Sequence, residues 1–294
     1  MTAAPAAEAI SASDARRPWP RLWLAAGVEI GVAVLVAVVL FGSTKTTSSG
    51  DSHSGMHAHA TPAHWSPAMW AAAAVTAAVL LWWLLSRNRI SAVLTAVGLV
   101  TLAGFEPVRV AALQSHLVGM VVLEILLVAI PLLLISTRQG RPTTVSTRSP
   151  VWLALVAGAV VGYSALLIGL HLPGVHNNAT ALRGVPLWLV TLTLGAGIAY
   201  WAAILRTAGR VTTVARVRAL IVGQEVAAIL GLAAVILPSP IVAHDTVFGL
   251  SGVTDQRLGG VVMLLTCAAV TLPLARRLQP SQPGPSPRTE RHVA

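Results

Sequence analysis

Charged side chains are scarce in this sequence. They make up 10% of its 294 residues, whereas hydrophobic residues make up 55%. So few polar groups cannot coat a soluble globule of this size, which excludes a water-soluble fold. The composition therefore predicts that a lipid bilayer is part of the solvent of this chain.

Cysteine is almost absent, and nucleic-acid-binding motifs are missing. The one cysteine, Cys267, cannot form a disulfide within the chain, and there is no Cys-x-x-Cys pair to indicate redox chemistry. The net charge of +10 does not imply a nucleic-acid partner. Membrane topology and attraction to anionic lipid head groups explain that charge instead.

Long apolar runs are abundant. A transmembrane helix needs about 20 apolar residues, and eight runs reach or approach this length, the third being the shortest. They predict an all-α fold, a polytopic transmembrane helix bundle of about eight helices. The runs are residues 22–41, 67–85, 90–104, 111–135, 151–170, 185–205, 220–237 and 259–274.

The basic residues test this division independently, because short loops rich in Lys and Arg stay in the cytoplasm. With the N-terminus inside, 16 of the 20 basic residues fall in cytoplasmic segments, the others being Lys45, Arg109, Arg183 and Arg257. We expect both termini to be cytoplasmic. Richness in Ala, Val and Arg with a single lysine favours a bacterial plasma membrane as the location.

Five regions follow along the chain. Residues 1–20 and 277–294 are expected to be disordered cytoplasmic tails, since they are rich in Ala, Pro, Ser and Arg. Residues 21–42 form the first transmembrane anchor, whose apolar run is too long for a cleaved signal peptide. Residues 43–65 form an outer loop rich in His and Met, and residues 66–276 form a membrane domain of seven helices.

Histidines collect at the predicted outer face, where eight of the nine lie. Neutral imidazole suits copper, zinc or nickel, and the methionine thioether adds a preference for Cu(I). The outer loop is thus a candidate for weak, exchangeable metal capture, or else a polar linker in which histidines collect. Its candidate ligands are His53, Met56, His57, His59 and His64.

A second candidate site lies within the predicted fourth and eighth helices. His116 and Met120 are four residues apart and share a helix face, which Glu124 continues. Met263 and Cys267 repeat this spacing on the last helix. If the two stripes face each other near the outer leaflet, soft ligands converge where Cu(I) could be held. The alternative is that they are ordinary side chains of an apolar core.

Three carboxylic acids, Glu29, Glu124 and Glu225, also fall within predicted helices. A carboxylate without a partner in lipid is costly, so we expect all three to face the bundle interior. They could line a proton or cation path. Each could instead be protonated and hydrogen-bonded to Gln224 or to a buried tyrosine.

Three segments resemble the CtaG family of membrane proteins, which is associated with the assembly of cytochrome c oxidase and its copper centres. Residues 255–263, Asp-Gln-Arg-Leu-Gly-Gly-Val-Val-Met, are similar to the family's DQ-x-LGG-xx-MW element. Residues 170–173, Leu-His-Leu-Pro, resemble its WHLP segment. The third is Ser115-His116 with the later Pro131, which resembles a helix of pattern HMxxHM that ends in a proline step.

The resemblance implies a protein that is not an enzyme and that binds copper at the outer face. It would deliver copper to cytochrome c oxidase subunits or scaffold their assembly. Copper captured by the loop would pass to an outer-leaflet site and then to the acceptor. That site would comprise His116, Met120, His171 and Met263. Structural roles are expected for Asp255, Gln256, Gly259, Gly260, Pro131 and Glu124, with Asp255 and Gln256 orienting or capping the last helix.

Departures from the family pattern leave alternatives open. Met120 stands where the family has a second His, and residues 186–190 lack the family's later His and Glu. A metal-free scaffold that has lost the copper site is therefore one alternative. A multi-pass transporter would use the three glutamates and broken helices, but only Pro131 is expected to interrupt a helix. A membrane cytochrome would need two of His116, His171 and His244 facing each other at one depth.

Overall fold

The chain is helical throughout the part that the computed structural model describes, which is residues 66–136, 150–172, 184–237 and 248–278. Short turns and a single bridge between Ala208 and Val211 are the exceptions there. The all-α prediction is confirmed for these ranges. The first predicted helix, the His/Met-rich loop and most of both tails lie outside the described residues.

Nine α-helices and one π-helical turn make up the described ranges. The α-helices are α1 (Pro67–Ser86), α2 (Arg89–Gly104), α3 (Glu106–Gln114), α4 (His116–Glu124), α5 (Ile130–Ser136), α6 (Pro150–His171), α7 (Leu187–Leu205), α8 (Thr213–Ile236) and α9 (Gly252–Leu278). The π-helical turn, Ile125–Ala129, joins α4 to α5.

Six of the helical segments in these ranges are long and apolar enough to cross a membrane, and α2 with α3 makes a seventh if that bent pair is one span. They match the second to eighth predicted runs. Large apolar side chains also cover the outer surface of the bundle, for example Leu85, Val161 and Ile229. Apolar residues on both the inside and the outside are consistent with a multi-pass membrane protein.

The fourth predicted run begins at the wrong place. Residues 111–114 belong to α3, and α4 starts only at His116. Between them Ser115 has extended backbone angles, and its hydroxyl accepts a hydrogen bond from the amide of Val118 at 3.3 Å. Ser115 is thus an N-cap, which ends one helix and begins the next.

Helix contacts define two ends of the bundle. At one end, the Arg216 side chain donates to the Ile204 carbonyl at 2.6 Å, and the Arg210 guanidinium lies 4.2 Å from the centre of the Trp152 ring. The start of α6, the end of α7 and the start of α8 therefore meet there. Eight of the ten described arginines lie at this basic end, all except Arg109 and Arg257.

The opposite end is defined by contacts that join the remaining helix ends. Arg109 donates to the carbonyls of Gly104 and Val185, which joins the end of α2 to the start of α7. His116 and His171 lie at this end too, so we call it the histidine end. Since α2 runs toward it, the preceding helix α1 starts there, at Pro67.

Pro131 explains why the helix is broken after α4. Pro131 has no N–H, so the carbonyl of Leu127 four residues earlier loses its helical donor. The indole N–H of Trp201 replaces that donor at 2.8 Å. Gly197 allows this approach, because a Cβ there would lie 2.7 Å from the same carbonyl oxygen. The predicted interruption at Pro131 is confirmed, but the expectation that it is the only one is wrong, since the fourth predicted run is also broken at Ser115. Pro273 lies inside α9, which continues through it.

Candidate metal site at the histidine end

Two histidines from distant parts of the chain meet at the histidine end. His116 is the first residue of α4 and His171 the last of α6. Their ring centroids are 6.2 Å apart and their planes are inclined by 80°. His116 is only 3% exposed. The fourth predicted run, 111–135, places His116 inside its helix, and the break at Ser115 moves it to the helix end.

The hydrogen bonding of His171 fixes which ring nitrogen can act as a ligand. Its Nδ1 lies 2.8 Å from the carbonyl oxygen of Leu167, one helical turn earlier. Since a carbonyl only accepts, Nδ1 carries the proton and Nε2 of the neutral ring carries a lone pair. This Nε2 is buried and has no hydrogen-bond partner among the described residues. Histidines that bind metals commonly show this arrangement, with one nitrogen on a carbonyl and the other on the metal.

Gly259 brings α9 against the same histidine. A Cβ at this position would lie 2.6 Å from Cδ2 of the His116 ring and 3.1 Å from Cγ of Met120. Met263, one turn further along α9, is fully buried in the same core cluster as Met120. The two stripes expected on the fourth and eighth predicted helices therefore do face each other.

Asp255 holds α4 in place from another helix. Its carboxylate accepts hydrogen bonds from the Ser115 hydroxyl at 2.7 Å and from the backbone amides of His116 and Leu117. The first amides of a helix lack partners within it, and the helix dipole favours negative charge there. Of the two roles expected for Asp255, orienting or capping the last helix, capping is wrong, because α9 already begins at Gly252.

Gln256 pairs with backbone groups at the end of α8, as Asp255 does at the start of α4. Its side-chain amide donates to the carbonyls of Ala234 at 3.1 Å and Leu237 at 2.9 Å. These are among the last carbonyls of α8 and have no helical donor. Gly260 then lets the two helices cross closely, since a Cβ there would lie 2.5 Å from the carbonyl oxygen of Gly231. The motif at 255–263 thus ties α9 to both α4 and α8.

A polar layer lies deeper in the bundle. Glu124 is buried and interacts electrostatically with Tyr163, which also accepts a hydrogen bond from Gln224 at 3.5 Å. Tyr163 stacks on Tyr200 at a centroid distance of 4.1 Å, and Cys267 belongs to the same environment. The expectation that Glu124 faces the interior is confirmed.

Glu225 does not follow that expectation. It lies on a face of α8 that the described helices leave exposed, so the prediction that it faces the interior is not met within the described part of the chain. The buried face of α8 is formed by residues that include Gly223, Gln224 and Ala227. Because successive residues of a helix are about 100° apart, burial of Gln224 turns Glu225 outward.

The remaining predicted ligands lie outside the described residues. These are the five loop residues His53, Met56, His57, His59 and His64, together with His244 and Glu29. Within the described ranges, no group of three or more His, Cys, Asp or Glu side chains could hold a metal. A metal site at the histidine end would therefore have to combine the two histidines with methionine.

Sequence reasoning missed one contributor to the site, Ser115, and one to the helix break at Pro131, Trp201. Ser115 falls inside the fourth predicted run, although Ser before a helix is a recognised start signal. Trp201 gave no signal, since its hydrogen bond depends on the distant Pro131.

Comparison of the chain with known protein families, with curated proteins and with solved structures finds no match. The CtaG resemblance stays a prediction that rests on the three motifs.

Proposed function

We propose that this protein binds Cu(I) between His116 and His171 at the outer face of a bacterial plasma membrane and assists the assembly of cytochrome c oxidase. The observation that carries the proposal is the facing pair of imidazoles, of which His116 is buried and His171 partly buried. One of them presents a nitrogen lone pair that is not used by any described residue. Copper is the cargo here, so the protein exchanges ligands and needs no catalytic group.

The spacing of the two rings suits a shared ion. With metal–nitrogen bonds of about 2 Å, two imidazoles that hold one ion in a nearly linear arrangement place their centroids roughly 6 to 6.5 Å apart, and a bent arrangement brings them closer. The observed separation of 6.2 Å lies in this range.

The neighbouring side chains favour Cu(I) over zinc. Met120 and Met263 belong to one core cluster, and Met120 lies beside His116 against Gly259. Thioether sulfur prefers Cu(I). Structural zinc sites use four ligands from Cys and His. No third His, Cys, Asp or Glu joins the pair within the described ranges.

The His/Met-rich loop is suited to feed this site. It precedes Ser66, the N-cap of α1, and α1 starts at the histidine end. Copper collected by residues 51–64 would therefore arrive at the end of the bundle where the pair lies. Weak ligands in the loop and a buried pair behind it would direct transfer inward, and an acceptor at the same face would receive the ion.

The distribution of arginine supports the orientation. Because short segments rich in Arg stay in the cytoplasm, the basic end is cytoplasmic and the histidine end faces outward. The three CtaG-like motifs support the link to the oxidase. Two of them, residues 255–263 and 170–173, supply the contacts that surround His116 and the ligand His171 itself.

Copper content of the purified full-length protein tests the proposal. Protein loaded with Cu(I) in detergent is compared with His116→Ala, His171→Ala, a deletion of residues 51–64 and the control His292→Ala. We expect about one tightly held copper that both pair variants lose and that the control keeps. Copper lost only with the loop would leave the bundle as a scaffold. Copper at background in wild type would reject copper binding.

A membrane cytochrome is the second candidate, because a facing histidine pair at one depth is also what axial haem ligation requires. The visible absorption of protein purified from haem-producing cells separates the two functions. A Soret band lost in His116→Ala would favour haem. Its absence, together with bound copper, would favour the copper function.

A further inference from the structure

Glu225 is an acidic residue on the outside of the bundle. It lies near the middle of the 24 residues of α8, a helix long and apolar enough to cross a membrane. Its side chain is exposed and makes no hydrogen bond or ion pair with any described residue. A carboxyl group is costly at this depth in lipid, and such groups almost always pair or face protein. A further element must therefore cover it.

The surface around Glu225 is a continuous apolar stripe. Ile221, Val222, Ile229 and Leu232 are all exposed on α8, at 38% to 65% of their surface. Their spacing of three, four and seven residues from Glu225 places them on the same helix face. One face of α8 is therefore apolar over several turns, with one carboxyl group at its centre.

We infer that residues 22–41 form the transmembrane helix that covers this stripe, with Glu29 hydrogen-bonded to Glu225. The depths agree. Arg21 precedes Glu29 by eight residues, and the exposed Arg218 precedes Glu225 by seven. At 1.5 Å per residue, the carboxyls lie about 12 Å and about 10.5 Å from their arginines. With both arginines at the basic end, the two helices run parallel and the two acids meet.

The shapes of the two helix faces are also complementary. On a helix, Ala25, Ala33 and Ala37 share the face of Glu29, at intervals of four residues. Small side chains let helix backbones approach closely in a membrane. The bulky Ile221 and Ile229, four residues on either side of Glu225, would fill the space above these alanines.

Two carboxyl groups in contact must hold at least one proton between them. Two carboxylates cannot both ionise at close range, and a low dielectric favours the neutral form. A neutral carboxyl both donates and accepts, so a pair of carboxylic acids satisfies its own hydrogen bonds. Like the copper proposal, this inference assumes a bilayer, but it does not depend on any metal.

The connecting chain is long enough. Residues 42–65 join the proposed helix to α1, and 24 extended residues span up to about 80 Å. A helix that runs parallel to α8 ends at the histidine end, where α1 begins. The connection therefore remains at one face of the membrane.

Disulfide cross-linking of the full-length protein tests the arrangement. Glu29→Cys is combined with Glu225→Cys, and a protease site is inserted after Ser49. The control combines Glu29→Cys with Val161→Cys, since Val161 is also exposed and lies near the middle of α6. Iodine serves as the oxidant because copper reagents would bind the protein. A second pair, Ala25→Cys with Ile221→Cys, keeps both acids in case their loss prevents folding.

We expect the two fragments of the first and second pairs to stay joined on non-reducing gels after cleavage, and those of the control to separate. Joined fragments in the Val161→Cys control alone would place the helix elsewhere and overturn the inference. Disulfide-linked dimers of the single variant Glu225→Cys would also overturn the inference, because they would show that a second copy covers the stripe. Folded protein that forms no disulfide in either pair would overturn it as well.

Discussion

The carboxylate of Asp255 accepts a hydrogen bond from the backbone amide of His116, although the two residues are 139 positions apart. Asp255 is fully buried, and its second oxygen accepts from Ser115. The last helix therefore fixes where α4 begins, and with it the position of the candidate ligand. A motif that looks like a cap of its own helix instead positions a histidine on another.

Replacing Asp255 should affect both stability and copper. Asp255→Ala leaves several buried donors at the start of α4 without a partner, and loss of an N-cap alone costs about 1 kcal/mol. Because these buried donors lose their partner as well, we expect the free energy of unfolding to fall by about 1–3 kcal/mol. We also expect His116 to move. Thermal unfolding in detergent and copper content measure the two effects.

Gln256→Ala is the matched control for Asp255, since it disturbs the end of α8 and not the start of α4. It should lower stability by a similar amount and retain copper. Equal loss of copper in both variants would show that Asp255 acts only through general stability and not by positioning His116.

Gly259→Ala should damage the site sterically. A Cβ here meets the His116 ring and Met120, so the ring must shift or α9 must move away. Overpacking of this kind costs about 1–3 kcal/mol, and we expect weaker Cu(I) binding in competition with a chelator. Gly158→Ala is the control, because nothing lies within 4 Å of a Cβ at that position. Normal copper affinity in Gly259→Ala would argue against a site at this contact.

The sequence predicted the helices better than their ends. Each apolar run from 67 onward has a helix, because a run of about 20 apolar residues indicates a membrane-crossing helix whatever surrounds it. The break at Ser115 lies inside such a run and is stabilised by a carboxylate that is 140 positions distant. Hydropathy along the chain contains no information about that contact.

The candidate site shows the same division. The spacing of His116 and Met120 predicted a shared face, and the facing stripe with Met263 is present. The orientation of Glu225 was not predictable, because Gln224 and Glu225 are adjacent polar residues and only one can face the core. Packing against Tyr163 and Tyr200 decides in favour of Gln224.

Membrane orientation can be tested with single substitutions. Ser251→Cys lies at the start of α9 at the histidine end, and Ser86→Cys lies at the basic end, both exposed. A membrane-impermeant maleimide applied to intact cells should label the first and spare the second until the cells are permeabilised. Wild type controls for the buried Cys267. The reverse pattern would place the histidine pair on the cytoplasmic side and contradict outward copper transfer.

The contact between Pro131 and Trp201 makes a prediction about non-additivity. Trp201→Phe removes the donor to the Leu127 carbonyl, and a buried acceptor without a partner costs about 1–3 kcal/mol. Pro131→Ala restores a backbone N–H that can donate to the same carbonyl within the helix. Trp201→Phe should therefore cost less in the Pro131→Ala background than in wild type.

A double-mutant cycle measures this coupling. Residues that share one hydrogen-bond acceptor typically couple by about 0.5–3 kcal/mol, and here the sign is fixed, since one donor substitutes for the other. The unfolding free energies of the wild type, both single variants and the double variant, measured in one detergent, give the value. Strict additivity would mean that the indole does not replace the missing backbone donor, and that the π-helical turn is held by packing at Gly197 instead.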